Sequence, residues 1–103
     1  MIILMNSAMM LIDGTYKRET ITHDEFVAAI KDAEGVKSYI GYEQNVQLIK
    51  NWTGVEIECN REMIDAINAP IYIMSLKYRP DVLDKGSLVD PDDFQYLRVQ
   101  YHA

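Results

Sequence analysis

The first third of the chain has a pattern of apolar and polar residues that predicts two strands followed by a helix. The apolar run at 2–5 predicts a first strand, and alternation over 16–20 predicts a second short strand or extended arm. Thr22 and Glu25 then have the spacing of a helix capping box. Apolar residues follow at helical intervals, so we expect an amphipathic helix over residues 23–33.

The middle of the chain repeats the order of strand and helix. Residues 36–40 are predicted to form a short strand, and residues 43–53 carry an apolar face at helical spacing. Gly54 is a natural C-terminal stop for that second helix. Apolar residues then alternate with glutamates over 55–59, which predicts an edge-exposed strand.

Two apolar segments in the last third complete the predicted sheet. Residues 71–76 are strongly apolar and are expected to form the central strand, and the alternation over 94–101 predicts a last strand. The pattern thus favours a mixed α/β or α+β domain, with a mixed, roughly five-stranded sheet flanked by two helices. A chain of 103 residues is long enough for one core and too short for two, so we expect a single domain over 1–103.

Net charge and hydropathy exclude several classes of partner. The net charge of −6 argues against binding to duplex nucleic acid, which depends on many lysine and arginine contacts to phosphates. A small anionic ligand in a local pocket is still compatible with it, since a few donors decide such binding. The chain has no apolar run near the roughly 20 residues that span a bilayer, so we expect no membrane association.

One cysteine and the character of the first residues indicate the compartment. Cys59 is the single cysteine, so an internal disulfide is excluded, and we expect its side chain to be buried or half-buried. Residues 1–12 lack the basic start and cleavage site of a signal peptide. Together these features predict a reducing, cytoplasmic environment.

The segment 38–45 has the character of an anion-binding loop. It is predicted to contain a strand end, a turn at Gly41 and the first turn of a helix. Unpaired backbone N–H groups point outward at a helix start, which is a common phosphate site. The sequence therefore places a candidate site around Tyr42, directly before the second helix.

Seven short motifs follow one another in a fixed order along nearly the whole chain. They are Asn6-Ser7-Ala8, Asp13-Gly14-Thr15-Tyr16, Ile21-Thr22, Ile40-Gly41, Thr53-Gly54-Val55, Asn60-Arg61 and Leu76-Lys77-Tyr78-Arg79-Pro80. Their order and spacing resemble those of one known family, the small viral and prophage proteins that include type III anti-CRISPR ring nucleases. Bacterial and archaeal proteins of unknown role share the pattern.

The resemblance implies a symmetric homodimer with a pocket for cyclic tetra-adenylate across its two-fold axis. Active members of the family open the ring without a metal, by attack of a ribose 2′-hydroxyl on the adjacent phosphate. A histidine after the Ile-Gly pair protonates the leaving oxygen, and this chain has Tyr42 at that position. The arginine that steadies the phosphate corresponds to Arg79, and either Asp81 or Asp84 corresponds to a further acidic residue.

The replacement of histidine by tyrosine weakens the expectation of catalysis. A tyrosine phenol ordinarily has a pKa near 10, against about 6.5 for histidine, so it is a poor general acid at neutral pH. Tyr42 is therefore expected either to contact a base or phosphate of the ligand or to shield the helix start. His23 and His102 are expected to lie away from the pocket and not to replace the missing acid.

The other candidate contacts come from the same motifs. Arg79 is interpreted as a phosphate ligand, with a surface ion pair as the alternative, whereas Arg61 is interpreted as a capping and surface-pairing residue. No metal site or cofactor is predicted, because no cluster of histidine, cysteine or carboxylate has ligand spacing. The remaining candidate ligand contacts are Asn6, Ser7, Ala8, Ile40, Gly41, Gln44 and Asn45.

Three hypotheses follow for the function. The first is a homodimer that binds and sequesters a cyclic oligonucleotide second messenger, which would counter a host antiviral defence. The second is a working, metal-independent ring nuclease in which Tyr42 or positioning alone suffices. The third is a protein-interaction or regulatory module on the same fold, since fold alone does not determine function.

Overall fold

The computed structural model describes residues 1–7, 12–77 and 90–102, which form a mixed five-stranded sheet with two helices on one face. In chain order the strands are β1 (Ile2–Met5), β2 (Thr15–Ile21), β3 (Val36–Tyr39), β4 (Ile71–Leu76) and β5 (Phe94–His102). The helices are α1 (His23–Asp32) and α2 (Glu43–Thr53). These elements confirm the predicted fold class.

The strand order in the sheet is β2-β5-β4-β1-β3, which places β4 at the centre as the apolar run predicted. Strand β1 pairs in parallel with both β3 and β4, whereas β5 pairs antiparallel with β4 and β2. Strand β1 is buried along its whole length, because both faces of the sheet are covered there.

The two faces of the sheet are covered by different kinds of structure. Leu4 and Met74 face the helices and join a core cluster with Phe26 of α1 and Ile49 of α2. The opposite face is covered by the later part of the non-helical segment 55–70, from which Ile64, Ile67 and Ala69 pack onto a second cluster. Alternate residues of the same strand thus enter different clusters, as the two-residue period of a strand requires.

Local signals in the sequence account for the helix ends. Thr22 and Glu25 form the predicted capping box, with the Thr22 Oγ1 accepting from the Glu25 N–H at 3.1 Å. Helix α1 ends one residue earlier than predicted, at Asp32. Helix α2 ends at Thr53, where Gly54 adopts a left-handed φ of 75°, as a C-terminal glycine stop does.

The prediction of a strand over residues 55–59 was wrong. Residues 55–58 alternate in burial as the sequence indicated, but Cys59 does not continue the alternation, and the segment makes no strand ladder. Val55 and Ile57 pack against the helix-side cluster, and Glu56 forms an ion pair with Lys50 at 2.8 Å. That contact lowers the pKa of the Glu56 carboxyl and raises that of the Lys50 ammonium group. Side-chain contacts, rather than pairing with a neighbouring strand, therefore hold this segment in place.

The exposure of Cys59 and the length of the helices bear on the environment expected for the chain. The prediction that Cys59 is buried or half-buried was wrong, because its side chain is exposed. Among residues 1–7, 12–77 and 90–102, no helix has the length and apolar character needed to cross a membrane.

Candidate functional site

The candidate site lies where two neighbouring parallel strands end. Met5 at the end of β1 is paired with Tyr39 at the end of β3, so the residues that follow each strand emerge at the same edge of the sheet. Ligands of α/β proteins commonly bind beyond the carboxyl ends of such strands. A concavity of about 380 Å³ lies here. Its lining residues are Met5, Asn6, Ser7, Tyr39, Gly41, Tyr42, Asn60, Arg61, Glu62, Met63 and Ile64.

Gly41 is held from two sides by hydrogen bonds from distant parts of the chain. Its N–H donates to the Asn6 Oδ1 at 3.2 Å, and its carbonyl accepts from the Arg61 Nε at 2.9 Å. A Cβ atom at position 41 would lie 3.0 Å from the Arg61 Cγ, closer than ordinary packing allows. A side chain at this position would therefore require the Arg61 side chain to shift by a few tenths of an ångström.

Asn60 attaches the non-helical segment to the end of β3. Its backbone N–H donates to the Ile40 carbonyl at 2.8 Å, and its Nδ2 donates to the Ser38 carbonyl at 3.0 Å. Its Oδ1 accepts from the Glu62 N–H at 2.9 Å. These three hydrogen bonds of Asn60 fix the backbone next to Arg61. The Arg61 side chain therefore has a defined position in the lining of the concavity.

The start of α2 offers backbone donors beside the concavity. The N–H groups of Asn45 and Val46 both bond to the Tyr42 carbonyl, at 3.1 and 3.2 Å. The N–H groups of Glu43 and Gln44 have no such acceptor among the described residues. The Tyr42 side chain does not cap the helix and is 54% exposed.

Arg61 is the positive group of the concavity. Within the described ranges no carboxylate pairs with it, since the ion pairs found there join other residues. Its Nε is occupied by Gly41, so its terminal nitrogens remain as donors directed to solvent or ligand. Glu62 places one carboxylate in the same lining, so the described wall offers one cation and one anion.

The structure brings together some of the predicted contacts but not all of them. Asn6, Ser7, Gly41 and Tyr42 line the concavity. The other predicted contacts within the described residues are Ile40, Gln44 and Asn45, and none of these three lines it. Ile40 is fully buried in the helix-side core, and Asn45 is 6% exposed. Ala8, Arg79, Asp81 and Asp84 lie outside the described residues, so their roles stay predictions.

Neither histidine lines the concavity, as the sequence analysis expected. His23 begins α1, and its ring lies edge-on to Trp52 with centroids 4.7 Å apart. It also contacts Tyr96, whose hydroxyl donates to the Pro91 carbonyl at 2.7 Å. Burial, together with nearby aspartates, raises the pKa of the Tyr96 phenol. His102 ends β5, on the strand that pairs with β2.

The segment that follows α2 contributes more residues to the lining of the concavity than its sequence indicated. Arg61 was interpreted as a capping and surface-pairing residue, and it does bond a backbone carbonyl, but it also lines the concavity. Glu62, Met63 and Ile64 were not singled out at all. The motif Asn60-Arg61 was the available signal, since a polar pair after an apolar alternation marks a turn.

Comparison with known proteins identifies the family. A sequence model of the STIV B116-like family matches residues 2–102 of the chain. The chain belongs to the STIV B116-like family. The match thus runs from the first residue of β1 to the last residue of β5.

A solved structure has the same fold. B116 of Sulfolobus turreted icosahedral virus superposes with a TM-score of 0.71, and the match covers 95% of this chain and 97% of that one. The two sequences are 14% identical, so this likeness shows the fold alone.

Two curated proteins are similar in sequence. ABC transporter C family member 6 of Dictyostelium discoideum is 32% identical over 102 residues, which are 99% of this chain and 7% of that protein. Uncharacterized protein YddF of Bacillus subtilis (strain 168) is 37% identical over 62 residues, covering 59% of this chain and 57% of that protein. The chain therefore matches a small part of the first and a little over half of the second.

Proposed function

We propose that this chain binds and holds a cyclic oligonucleotide second messenger, cyclic tetra-adenylate or a related ring, with little or no cleavage. The observation that carries the proposal is the concavity beyond β1 and β3, with Arg61 held on its wall and Asn6 at its edge. In a cell that signals infection with such rings, sequestration would blunt the antiviral response. The resemblance to ring nucleases implies the ligand, and Tyr42 in place of the catalytic histidine favours holding the ring over cutting it.

The donors around the concavity suit a phosphodiester. Arginine presents planar N–H groups that match phosphate oxygens, and Arg61 has its terminal nitrogens unpaired by carboxylate among the described residues. The Asn6 Nδ2 adds a neutral donor, because the hydrogen bond from Gly41 uses only the Asn6 oxygen. The free N–H groups at the start of α2 favour negative charge nearby.

The size of the concavity favours a site shared by two copies of the chain. Its volume of about 380 Å³ is near the lower end of the roughly 300–1,000 Å³ of sites for drug-sized ligands. A ring of four adenylates is larger than such a ligand, so one concavity encloses only part of it. Two concavities facing each other across a two-fold axis would enclose the ring, since a symmetric dimer repeats the same patch on both sides.

The described lining also favours holding over cutting. Its ionisable side chains are those of Tyr39, Tyr42, Arg61 and Glu62, and it contains no histidine. Loss of a positioned general acid typically lowers a rate by about 10²–10⁴-fold. Cleavage of the ring is the competing function, and in that case Arg79 and the aspartates at 81 and 84 would be the first residues to test.

The test is incubation of the purified chain with cyclic tri-, tetra- and hexa-adenylate and with cyclic dinucleotides, in the presence of a chelator. Binding is measured by calorimetry, and the nucleotide is recovered by denaturation and identified by chromatography. Recovery of the intact ring is the expected result. Linear products would show a nuclease, and no binding to any ring would overturn the proposal.

Two arginine variants make this test specific to the site. Arg61→Ala should weaken binding of the ring by about tenfold or more, because a hydrogen bond to a charged group contributes about 1.5–3 kcal/mol. Arg18→Ala is the matched control, since Arg18 is an exposed arginine of β2 that does not line the concavity. Equal loss in both variants would indicate general electrostatic attraction rather than a site.

A further inference from the structure

The rim of the concavity carries two of the three large apolar side chains that are exposed in the described residues. These three are Met1, Tyr42 and Met63, at 57%, 54% and 66% exposure. Tyr42 and Met63 both line the concavity and are its exposed apolar rim, although Tyr42 directly precedes α2 and Met63 belongs to the segment 55–70. Scattered single apolar side chains are ordinary on a surface, but these two line the same concavity as the Arg61 charge and are therefore a feature of that site.

We propose that Tyr42 and Met63 form a pair of apolar contacts that holds one nucleobase of the ligand, with the adjoining phosphate on Arg61. This inference rests on the proposed function and deepens it, because it assigns the base and the phosphate to different parts of the concavity. A tyrosine ring stacks on any nucleobase, and a methionine thioether packs well on aromatic rings.

The division of chemistry across the concavity supports this orientation. One part of the lining is the hydrogen-bonded group of Asn6, Gly41 and Arg61, whereas Tyr42 and Met63 supply exposed apolar surface. A nucleotide has the same division, with a flat base at one end and an anionic phosphate at the other. A free phosphate would leave the apolar rim in water, and a purely apolar ligand would leave the Arg61 charge without a partner.

The same pair gives a reason for tyrosine at position 42. Tyr42 does not cap α2 and makes no hydrogen bond with its side chain among the described residues, so its ring is not needed to start the helix. A side chain that the local structure does not use, standing at the mouth of a concavity, is available to the ligand. The Tyr42 side chain then contributes to the affinity for the ligand rather than to proton transfer.

Nuclear magnetic resonance of methyl-labelled methionine tests the inference directly. Six methionines give six methyl signals, and that of Met63 is assigned by its loss in Met63→Leu. With cyclic tetra-adenylate as the probe, the Met63 methyl signal should move upfield, because it would lie over the face of a base. The Met1 signal is the internal control, since Met1 is exposed but does not line the concavity.

Binding measurements on matched variants give a second readout. Tyr42→Ala should weaken binding of cyclic tetra-adenylate by about five- to hundredfold, as removal of a stacking side chain does, whereas Tyr42→Phe should retain affinity. Met63→Ser should weaken binding, and Met63→Leu should retain it. A ring of the same sugar-phosphate backbone without bases should bind the parent chain weakly and be insensitive to Tyr42→Ala.

The failures of the two proposals can be told apart. If no cyclic nucleotide binds, the proposed function fails and this inference fails with it. If cyclic tetra-adenylate binds but the Met63 signal does not move and the rim variants bind normally, only the base assignment is overturned. If Tyr42→Ala and Met63→Ser change the oligomeric state and leave affinity per site unchanged, the rim is a contact between copies and the inference is wrong.

Discussion

The Asn6 side chain accepts a hydrogen bond from the Gly41 N–H at 3.2 Å, although 35 positions separate the two residues in the chain. Asn6 follows β1, and Gly41 lies between β3 and α2, so this bond joins the two strand ends that border the concavity. The amide oxygen supports the loop, while the amide nitrogen makes no hydrogen bond with any residue that the structure describes. One small side chain thus links the local structure of the loop to the proposed phosphate site.

Two replacements of Asn6 should distinguish its role in stabilising the loop from its role in binding an anionic ligand. Asn6→Ala removes the acceptor for Gly41 and should lower the free energy of unfolding by about 0.5–1.5 kcal/mol, measured by urea titration. Asn6→Asp retains an acceptor at the same place, so it should be close to the parent in stability. It should nonetheless bind an anionic ring more weakly, because it adds a negative charge. Normal binding by Asn6→Asp would argue against a phosphate near this residue.

Gly41→Ala should displace Arg61 and lower ligand affinity while the domain remains folded. The new Cβ would lie 3.0 Å from the Arg61 Cγ, and the Gly41 φ is not in the left-handed region, so the backbone itself accepts alanine. The effect is measured as the dissociation constant of cyclic tetra-adenylate, together with the thermal midpoint. Gly35→Ala is the matched control, because its Cβ would meet only the Met1 Cγ at 3.8 Å. Equal affinities for the two variants would contradict the role given to Arg61.

Gly54→Ala should lower stability and leave binding unchanged. Gly54 has a φ of 75° at the end of α2, and a Cβ there would meet no atom within 4 Å. The cost is therefore conformational and amounts to about 1–2 kcal/mol for a residue with a side chain. Urea unfolding and calorimetric titration of the same preparation give both numbers. A variant of unchanged stability would show that the helix end relaxes to another conformation.

The pH dependence of stability should show the burial of Tyr96. Burial raises its pKa in the folded chain above the ordinary value of about 10, so the folded state keeps this proton to a higher pH than the unfolded state does. The contribution is fully present below about pH 10, and the free energy of unfolding falls as the pH rises through and beyond that value. Tyr96→Phe should make this alkaline decline less steep.

Tyr96→Phe also loses the hydrogen bond to the Pro91 carbonyl, which should cost about 0.5–1.5 kcal/mol at neutral pH. The comparison therefore concerns the slope of stability against pH, measured by urea unfolding between about pH 8 and pH 11. Tyr42→Phe, which removes an exposed hydroxyl, is the matched control. Identical alkaline slopes for the parent and Tyr96→Phe would contradict the prediction.

Most of the secondary structure followed from local chemistry. The capping box at Thr22 and Glu25, the helical spacing in α2 and the stop at Gly54 each act within a few residues, so the sequence pattern was sufficient to predict them. The burial of β4 on both faces was likewise visible as a strongly apolar run. The error over 55–59 has the opposite cause, because alternation reports which side chains are buried and does not report a strand partner.

The candidate site could be predicted only in part, because some of its contacts join residues that are far apart in the chain. The sequence alone was enough to place Asn6, Ser7, Gly41 and Tyr42 at strand ends and a helix start, because those are local features. It could not place Arg61 beside Gly41, since that contact joins residues 20 positions apart through a segment without regular structure. Nor could it predict that Tyr42 and Met63 share the rim of one concavity. The sheet order and the bonds of Asn60 bring these residues together, and both depend on packing across the whole domain.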